Sequence, residues 1–336
     1  MQTDPQFSGW LYVLAAGVCQ GSFMLPMKWT KGWAWENGWL IFATTAYLIC
    51  PWLFVLLTVP EAASAYAASS SGRIAAVIGM GLLWGLGALT FGLGVDTVGL
   101  SVGFAVIIGV ASCSGALIPL LLSSTRLNPP GLAVTIISLV VMLTGVASCS
   151  LAGRFKESGS GKQRAEYKGG ILICVASGLL SSAGNLGFVL GQPIIEEARR
   201  RGADPNFASN VVWALLTISL FLCNTIYAGY RLLTKGTLAQ FRSHRSLLNL
   251  ACGIAMGALW MLGFAFYGAG VSRLGALGPS YGWAAMMSIV VFTANVSGVY
   301  TGEWEGAPQH SLRKLWFGMG LLLAAMIGLG TANWLG

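Results

Sequence analysis

The sequence predicts an all-α, polytopic membrane protein whose ten transmembrane helices form two inverted five-helix repeats. Three observations support this prediction. Hydrophobic residues make up 55% of the 336 positions and charged residues only 9%, far below the charged fraction of about one quarter in soluble domains. The apolar residues form ten long uncharged runs, and one stretch of the first half of the chain recurs in the second half.

Ten apolar runs are long enough to cross a bilayer, which takes about 20 residues of helix. They cover residues 9–27, 38–59, 74–95, 98–122, 131–152, 169–191, 207–230, 249–270, 275–301 and 312–335. The formal charges lie at the ends of these spans or in the gaps between them. Because the chain starts with an acid and no basic residue, we expect the first span to be retained rather than cleaved as a signal peptide.

The internal repeat lies in spans three and eight. Residues 78–99, shifted by 176 positions, fall on residues 254–275, and Trp84 falls on Trp260. Five glycines match in the same register: Gly81, Gly87, Gly92, Gly94 and Gly99 with Gly257, Gly263, Gly268, Gly270 and Gly275. Each half has five spans, an odd number, so the halves would enter the membrane in opposite directions, as in many transporters. We therefore divide the chain into a first repeat at 1–152, a cytoplasmic linker at 153–168 and a second repeat at 169–336.

Two features mark the first two spans. Gly17 and Gly21 are four residues apart, a spacing that lets helices pack closely in lipid, and Gln20 beside them is a strongly polar side chain that must find a partner there. In span two, Pro51 removes a backbone donor and predicts a kink.

Three later features concern the ends of helices. Spans three and four are joined by Asp96 and Thr97 alone, which predicts a tight antiparallel hairpin. The loop 192–206 has a helix-forming composition up to Gly202. Span nine opens with Gly278-Pro279, which predicts either a broken helix lining a cavity, as in transporter sites, or a late helix start at Ser280 or Tyr281.

The distribution of basic residues predicts the orientation. Thirteen of the 19 Lys and Arg residues lie in or beside the loops that follow odd-numbered spans, and six lie on the opposite side. The positive-inside rule therefore places both termini outside and the loops 153–168 and 231–247 in the cytoplasm. This asymmetry also accounts for the net charge of +8 without a nucleic-acid partner.

The sequence contains no catalytic motif, so we expect neither an enzyme nor a bound cofactor. The seven cysteines each fall inside a span and form no CxxC pair, and His244 and His310 lie in loops. This pattern gives no support to a metal site. A transporter is the class that the repeat favours, and a non-transporting membrane subunit is the alternative from another class.

The candidate substrate-binding residues are amides and aromatic side chains inside otherwise apolar spans. They are Gln20, Trp84, Asn185, Trp260, Tyr281 and Trp283. Amides can hydrogen-bond a neutral polyol and indole rings can cover its apolar face, so the set suits a sugar better than an ion. Each residue alone is also explained by helix–helix packing. Exporters of cationic drugs usually need a carboxylate deep in the membrane, and these spans have none at their centres. The sequence therefore favours a sugar transporter over the alternative, an exporter of drugs or metabolites.

The candidate proton-coupling residues are acids at span ends: Glu36 first, then Glu303, with Asp96 also near a membrane segment. A symporter needs a group whose proton affinity changes between its two states, and burial is the usual cause for a carboxylate. Glu36 is a lone acid among four tryptophans. The alternative is that this segment is an interfacial belt, with indoles at the headgroups and lysines reaching to water.

Several segments, in order along almost the whole chain, resemble the bacterial L-rhamnose–proton symporter family of the drug/metabolite transporter superfamily. They are Pro26-Met27-Lys28 through Trp33-x-Trp35-Glu36, Trp84-Gly85-x-Gly87 with Gly92, Pro193-x-x-Glu196 with Gly202-x-Asp204-Pro205, and Glu303-Trp304. The resemblance implies ten helices in five-plus-five inverted repeats. It also implies proton-driven uptake of a sugar across the bacterial inner membrane by alternating access, with the lipid bilayer, the sugar and protons as partners. It leaves the oligomeric state open.

The orientation is testable with reporter fusions. We expect alkaline phosphatase to be active when fused after residue 336 and inactive when fused after Lys162, because the enzyme folds only outside the cytoplasm while basic loops stay inside. A green fluorescent protein fused at the same positions provides the reciprocal control. Active phosphatase at Lys162 would reverse the orientation.

Overall fold

The computed structural model describes residues 4–123, 128–156 and 164–335 and is helical throughout. Within these ranges, ten helical segments are long and apolar enough to cross a membrane. Since segments one, three, five, seven and nine run the same way, both described chain ends lie on one side of the bundle. We call this the termini side. The opposite side, where the fifth segment ends and the sixth begins, is the linker side.

The first five segments contain seven α-helices. They are α1 Pro5–Ser22, α2 Trp35–Ala43, α3 Cys50–Thr58, α4 Ala62–Ala68, α5 Ser71–Val98, α6 Leu100–Leu122 and α7 Pro129–Lys156. Helices α2 and α3 form one segment, and α4 is a short helix on the termini side.

The last five segments contain six α-helices. They are α8 Arg164–Leu190, α9 Gln192–Arg200, α10 Asn210–Lys235, α11 Ser246–Val271, α12 Gly278–Tyr300 and α13 Gln309–Leu335. Helix α9 lies in the loop whose composition predicts a helix, and Gly202 follows it with a φ of 91°. The predicted stop at this glycine is confirmed.

A π-helical segment, Thr44–Ile49, joins α2 to α3 and carries the predicted disturbance at Pro51. Proline lacks the N–H that would bond four residues back, and its ring crowds that carbonyl. The chain adapts with a wider turn, in which the Cys50 N–H bonds to the Thr45 carbonyl five residues earlier.

The connection between α5 and α6 differs from the predicted two-residue turn. Asp96 and Thr97 lie in the last turns of α5, and the break comes at Gly99, whose φ is 93°. An L side chain rarely adopts this backbone conformation, so a glycine is required here. The side chain of Asp96 lies outside the part of the structure that is described.

Two further boundaries correct the sequence interpretation. Helix α12 begins at Gly278 with Pro279 in its first turn, a position where a missing N–H costs nothing. The broken helix is therefore wrong, and the helix begins two or three residues before the late start predicted at Ser280 or Tyr281. At the linker, α7 continues to Lys156 and α8 begins at Arg164, so both ends of the predicted 153–168 linker are helical. Residues 157–163 lie outside the described residues.

The matched glycines of α5 and α11 are points of close approach to other helices. A Cβ at Gly81 would lie 2.1 Å from the Leu216 carbonyl oxygen of α10, and one at Gly257 would lie 2.5 Å from Thr45 Cβ of the π-helical segment. Helix α5 therefore packs on the seventh segment at the position where α11 packs on the second.

Two more matched pairs repeat this relation. A Cβ at Gly87 would lie 2.7 Å from the Ser181 nitrogen of α8, whereas one at Gly263 would lie 2.8 Å from Gln20 Cγ of α1. Two turns later, Gly94 faces α8 and Gly270 faces α1 in the same way. The third segment thus packs on the sixth as the eighth packs on the first. The duplicated motif is a helix-packing motif.

Replacing one of these glycines tests the packing. We expect Gly81→Ala to destabilise the protein by about 1–3 kcal/mol, because the added methyl overlaps the α10 backbone. The matched control is Gly92→Ala in the same helix, where a Cβ would meet no atom within 4 Å. Thermal unfolding of both purified variants in one detergent measures the difference. Equal melting temperatures would contradict the close approach.

Candidate functional site

Six aromatic side chains form a continuous chain of ring contacts, which we call the aromatic array. Its members are Trp84, Trp260, Phe264, Trp213, Tyr267 and Trp283. Successive ring centroids are 5.7, 4.5, 4.7, 5.9 and 5.9 Å apart in that order. The array starts between α5 and α11 and ends where α12 packs against α6.

Helix α11 supplies the spine of the array. Trp260, Phe264 and Tyr267 are spaced by four and three residues, so their side chains lie on one face of the helix. Trp84 meets this face because Gly184 of α8 leaves room for its ring. A Cβ at Gly184 would lie 2.8 Å from the indole of Trp84.

Gln20 lies at the Trp260 end of the array. Its Nε2 donates a hydrogen bond of 2.7 Å to the backbone carbonyl of Trp260, and the side chain is 8% exposed. The close packing of Gln20 on Gly263 brings the amide to this carbonyl. The polar residue of α1 therefore lies beside the matched tryptophans of α5 and α11.

Asn185 is a hydrogen-bonding centre between four helices. Its Nδ2 donates to the carbonyls of Gly115 at 2.8 Å and Pro279 at 2.9 Å. Its Oδ1 accepts from the Tyr267 hydroxyl at 2.6 Å. The side chain is fully buried, and these bonds use both donors of the amide. Asn185 therefore holds the Tyr267 end of the array in place.

The two candidates on α12 point in different directions. Trp283 joins the array, and its Nε1 donates to the Ala111 carbonyl at 3.1 Å. Tyr281 lies on another face of the helix, with its hydroxyl 3.1 Å from Thr135 Oγ1 of α7. The structure thus brings Gln20, Trp84, Asn185, Trp260 and Trp283 to the array and places Tyr281 apart from it.

The sequence interpretation missed three members of the array. Phe264 and Tyr267 could have been found, because they follow Trp260 at helical spacing. Trp213 gave no such signal, since α10 is apolar on several faces. The structure places Trp213 in the array, where the side chain is fully buried and its Nε1 has no hydrogen-bond partner.

Glu36 lies at the linker side among contacts between the first and last five segments. We call these contacts the linker-side junction. The Thr237 hydroxyl donates to Glu36 Oε1 at 3.1 Å, and Asn37 Nδ2 donates to the Thr237 carbonyl at 3.0 Å. Asn249 exchanges two bonds with the Lys31 backbone, at 2.9 and 3.1 Å. The junction ties the loop after α1 and the start of α2 to the segment after α10 and to α11.

Burial separates Glu36 from two of the tryptophans near it in the sequence. Glu36 is 1% exposed, whereas Trp29 is 58% and Trp35 is 37% exposed. The two indoles have the exposure expected of belt residues, and the carboxyl group does not. Glu36 also lies in the first turn of α2, where the helix dipole favours a negative charge.

Glu303, the second coupling candidate, forms an ion pair with Lys28 at the linker side. The two side chains are 50% and 37% exposed, and such a pair contributes little stability in water. The pair connects the loop after α1 to the loop after α12. It therefore adds to the contacts that close the linker side.

Several contacts join the halves of the chain on the termini side, among them an ion pair and a tyrosine hydrogen bond. Arg201, after α9, lies 3.7 Å from the Glu61 carboxylate. The Tyr66 hydroxyl donates to the Val211 carbonyl at 2.9 Å. Burial raises the pKa of Tyr66 well above its ordinary value, so the hydroxyl keeps its proton and this bond is present across the physiological pH range.

In the part of the chain that the structure describes, no group of three His, Cys, Asp or Glu side chains could hold a metal ion. The cysteines there are free and buried or half-buried.

Comparisons with known proteins cover almost the whole chain. The sequence model of one family, described as L-rhamnose-proton symport protein (RhaT), matches residues 6–333. The L-rhamnose-proton symporter of Yersinia pestis (strain Pestoides F) is 28% identical over 96% of this chain and 98% of its own length. That of Cronobacter sakazakii is 27% identical over 97% of this chain and 98% of its own.

One solved crystal structure matches the fold with a TM-score of 0.59, and 96% of each chain is covered. The sequences are 14% identical. At that identity the match supports the fold alone.

Proposed function

Because this chain belongs to the L-rhamnose-proton symport protein family, it is a proton-coupled sugar transporter and not an enzyme, and we propose that it works by alternating access. The match over residues 6–333 carries the assignment to proton-coupled sugar transport. The steps proposed below, from sugar binding to proton coupling, rest on the positions of the aromatic array and the linker-side junction.

We propose that the sugar binds at the Trp84–Trp260 end of the array. The two ring centroids are 5.7 Å apart and belong to helices from different halves of the chain. Aromatic faces cover the C–H face of a sugar, and a deoxysugar such as L-rhamnose also has a methyl group to bury. Gln20 positions Trp260 through its carbonyl and brings an amide to the same place.

The matched packing of α5 and α11 supports two inverted five-helix repeats. Each of these helices packs through glycines on two segments of the other half. Interfaces of this kind can rock as rigid units around a fixed site. Contacts between the halves exist on both sides of the bundle: Glu36–Thr237 and Lys28–Glu303 on the linker side, and Glu61–Arg201 on the termini side. Alternating access requires each set to open in turn.

We assign the coupling role to Glu36. It is a buried acid on the linker side, and its carboxylate accepts the bond that closes the junction at Thr237. Protonation removes the negative charge that the α2 N-terminus favours and weakens the carboxylate as an acceptor. The charge state of Glu36 is thereby linked to whether this side is closed. Glu303 is the second candidate, because its ion pair spans the same side.

The direction of transport follows from the predicted orientation in the plasma membrane. If the termini side is external and the linker side cytoplasmic, sugar and proton enter from the termini side. The proton is then released when the linker-side junction opens. This order gives uptake driven by the proton gradient.

Uptake by cells or proteoliposomes tests the function. We expect accumulation of labelled L-rhamnose or a related deoxysugar against its gradient, and loss of accumulation with a proton uncoupler, because the gradient is the driving force. A panel with L-fucose, D-xylose and D-glucose establishes the preference. Empty liposomes are the control. Accumulation that an uncoupler does not change would contradict proton coupling.

The Glu36→Gln variant tests the coupling residue. We expect uphill accumulation to be abolished while exchange of labelled for unlabelled sugar continues, because glutamine keeps the shape and cannot release a proton. Glu305→Gln, an exposed acid on the same side, is the matched control and should accumulate sugar normally. Normal accumulation by Glu36→Gln would contradict the coupling role and show that Glu36 only stabilises the linker-side junction.

A further inference from the structure

A cavity with both polar and apolar walls lies on the termini side, away from the Trp84–Trp260 end of the array. Its volume is about 320 Å³, at the small end of the range of about 300–1,000 Å³ for ligand sites. We call it the termini-side pocket. Its walls come from α8, α9, α11, the start of α12 and the residue before α10. The residues that matter here are Phe188, Glu196, Arg199, Ser209, Gly268 and Pro279.

Two polar groups in this pocket have no partner in the protein. Ser209 is 3% exposed and its Oγ makes no hydrogen bond, and the Nε of Arg199 is also buried and unpaired. A buried polar group without a partner is costly, and most such groups in folded proteins are satisfied. Both residues line one cavity, so a ligand in that cavity satisfies the two groups once their side chains rotate toward it.

A third unpaired donor lies directly behind Ser209. A Cβ at Gly268 would be 2.0 Å from Ser209 Oγ and 3.3 Å from Trp213 Nε1. The absence of a side chain at Gly268 therefore makes room for the Ser209 hydroxyl, which packs against the α11 backbone near the indole N–H. Trp213 belongs to the aromatic array, so the pocket adjoins the array at this point.

The charges of the pocket favour a neutral ligand. Glu196 and Arg199 form an ion pair with an N–O distance of 2.8 Å, so the rim has both signs and no net charge from this pair. A carboxylate accepts from hydroxyl groups and a guanidinium donates to them. The Glu196 carboxylate would repel an anion and the Arg199 guanidinium would repel a cation, so neither kind of ion is favoured.

One wall of the pocket is apolar. Phe188 lines it, and the ring stacks on Trp213 with a centroid distance of 4.9 Å. Pro279 also lines the pocket, and its carbonyl accepts hydrogen bonds from Asn185 Nδ2 and the Tyr267 hydroxyl. An aromatic face on one side and hydroxyl-binding groups on the other are the two features that a monosaccharide needs.

We propose that the termini-side pocket is a second monosaccharide-binding site, which the sugar occupies before it moves along the array to Trp84 and Trp260. The inference rests on the proposed function, since it takes the ligand to be the transported sugar. Ser209 Oγ, Arg199 Nε and the Glu196 carboxylate bind its hydroxyl groups, and Phe188 covers its C–H face.

Two conservative substitutions test the site by separating binding from folding. Ser209→Ala removes a hydroxyl that makes no hydrogen bond within the protein. We therefore expect its melting temperature to equal that of the wild type, so that a change in KM reports on sugar binding. Arg199→Gln removes a partly exposed ion pair, which contributes little to stability. For both variants we expect the KM for uptake of the preferred sugar to rise about tenfold at an unchanged maximal rate, as expected when binding energy is lost equally in ground and transition states.

Arg200→Gln is the matched control. Arg200 follows Arg199 on α9, pairs with Glu197 and is 76% exposed, and it does not line the pocket. We expect this variant to keep the wild-type KM. An equal rise in KM for Arg200→Gln and Arg199→Gln would assign the effect to the general charge of α9 and overturn the site.

Direct binding completes the test. The full chain in lipid nanodiscs is titrated with tritiated L-rhamnose, or with the sugar that the uptake panel prefers, and we expect Ser209→Ala and Arg199→Gln each to weaken binding about tenfold. Wild-type KM and binding in both variants, with uptake intact, would overturn the pocket and leave the transporter function standing. Failure of the wild-type chain to bind or accumulate any sugar of the panel would overturn both.

Discussion

Close approach of helices at glycine is the constraint on which this structure depends. In lipid, no hydrophobic force draws apolar helices together, so they associate through van der Waals packing and hydrogen bonds across short distances. The glycines that recur in α5 and α11 provide this approach: Gly81 and Gly87 on α10 and α8, and Gly257 and Gly263 on the second segment and α1. The same packing brings Trp84 and Trp260 within ring contact.

Polar groups divide into two classes according to how the helices satisfy them. Asn185 and Gln20 bond to carbonyls of other helices, and they fix the positions of Tyr267 and Trp260 beside the array. Ser209 Oγ and Trp213 Nε1 are equally buried and have no protein partner. An unpaired donor in a low-dielectric interior is expensive, which is why the proposed second sugar site includes Ser209.

The contacts between the two halves are unequal on the two sides of the bundle. The linker-side junction contains a buried carboxyl group, Glu36, bonded to Thr237, and backbone bonds through Asn249. The termini side has hydrogen bonds between neutral groups, Tyr66–Val211 and Asn210–Thr58, and a longer ion pair, Glu61–Arg201. Protonation of a buried acid at such an interface would act on it directly, whereas a solvated ion pair is screened. This difference is the physical basis of our proposal that coupling lies on the linker side.

The sequence by itself determined the class of the protein, its ten membrane segments, the matched glycines and tryptophans, and the amides that need partners. Each of these follows from composition, length or register, which a linear pattern contains. The tertiary structure alone decided which faces meet. Tyr281 turns to Thr135 and away from the array, Trp213 joins the array, Glu36 is buried beside exposed indoles, and Ser209 lines a pocket. Membrane helices are apolar on lipid-facing and protein-facing sides alike, so periodicity does not reveal the inward face, and only packing orients a given side chain.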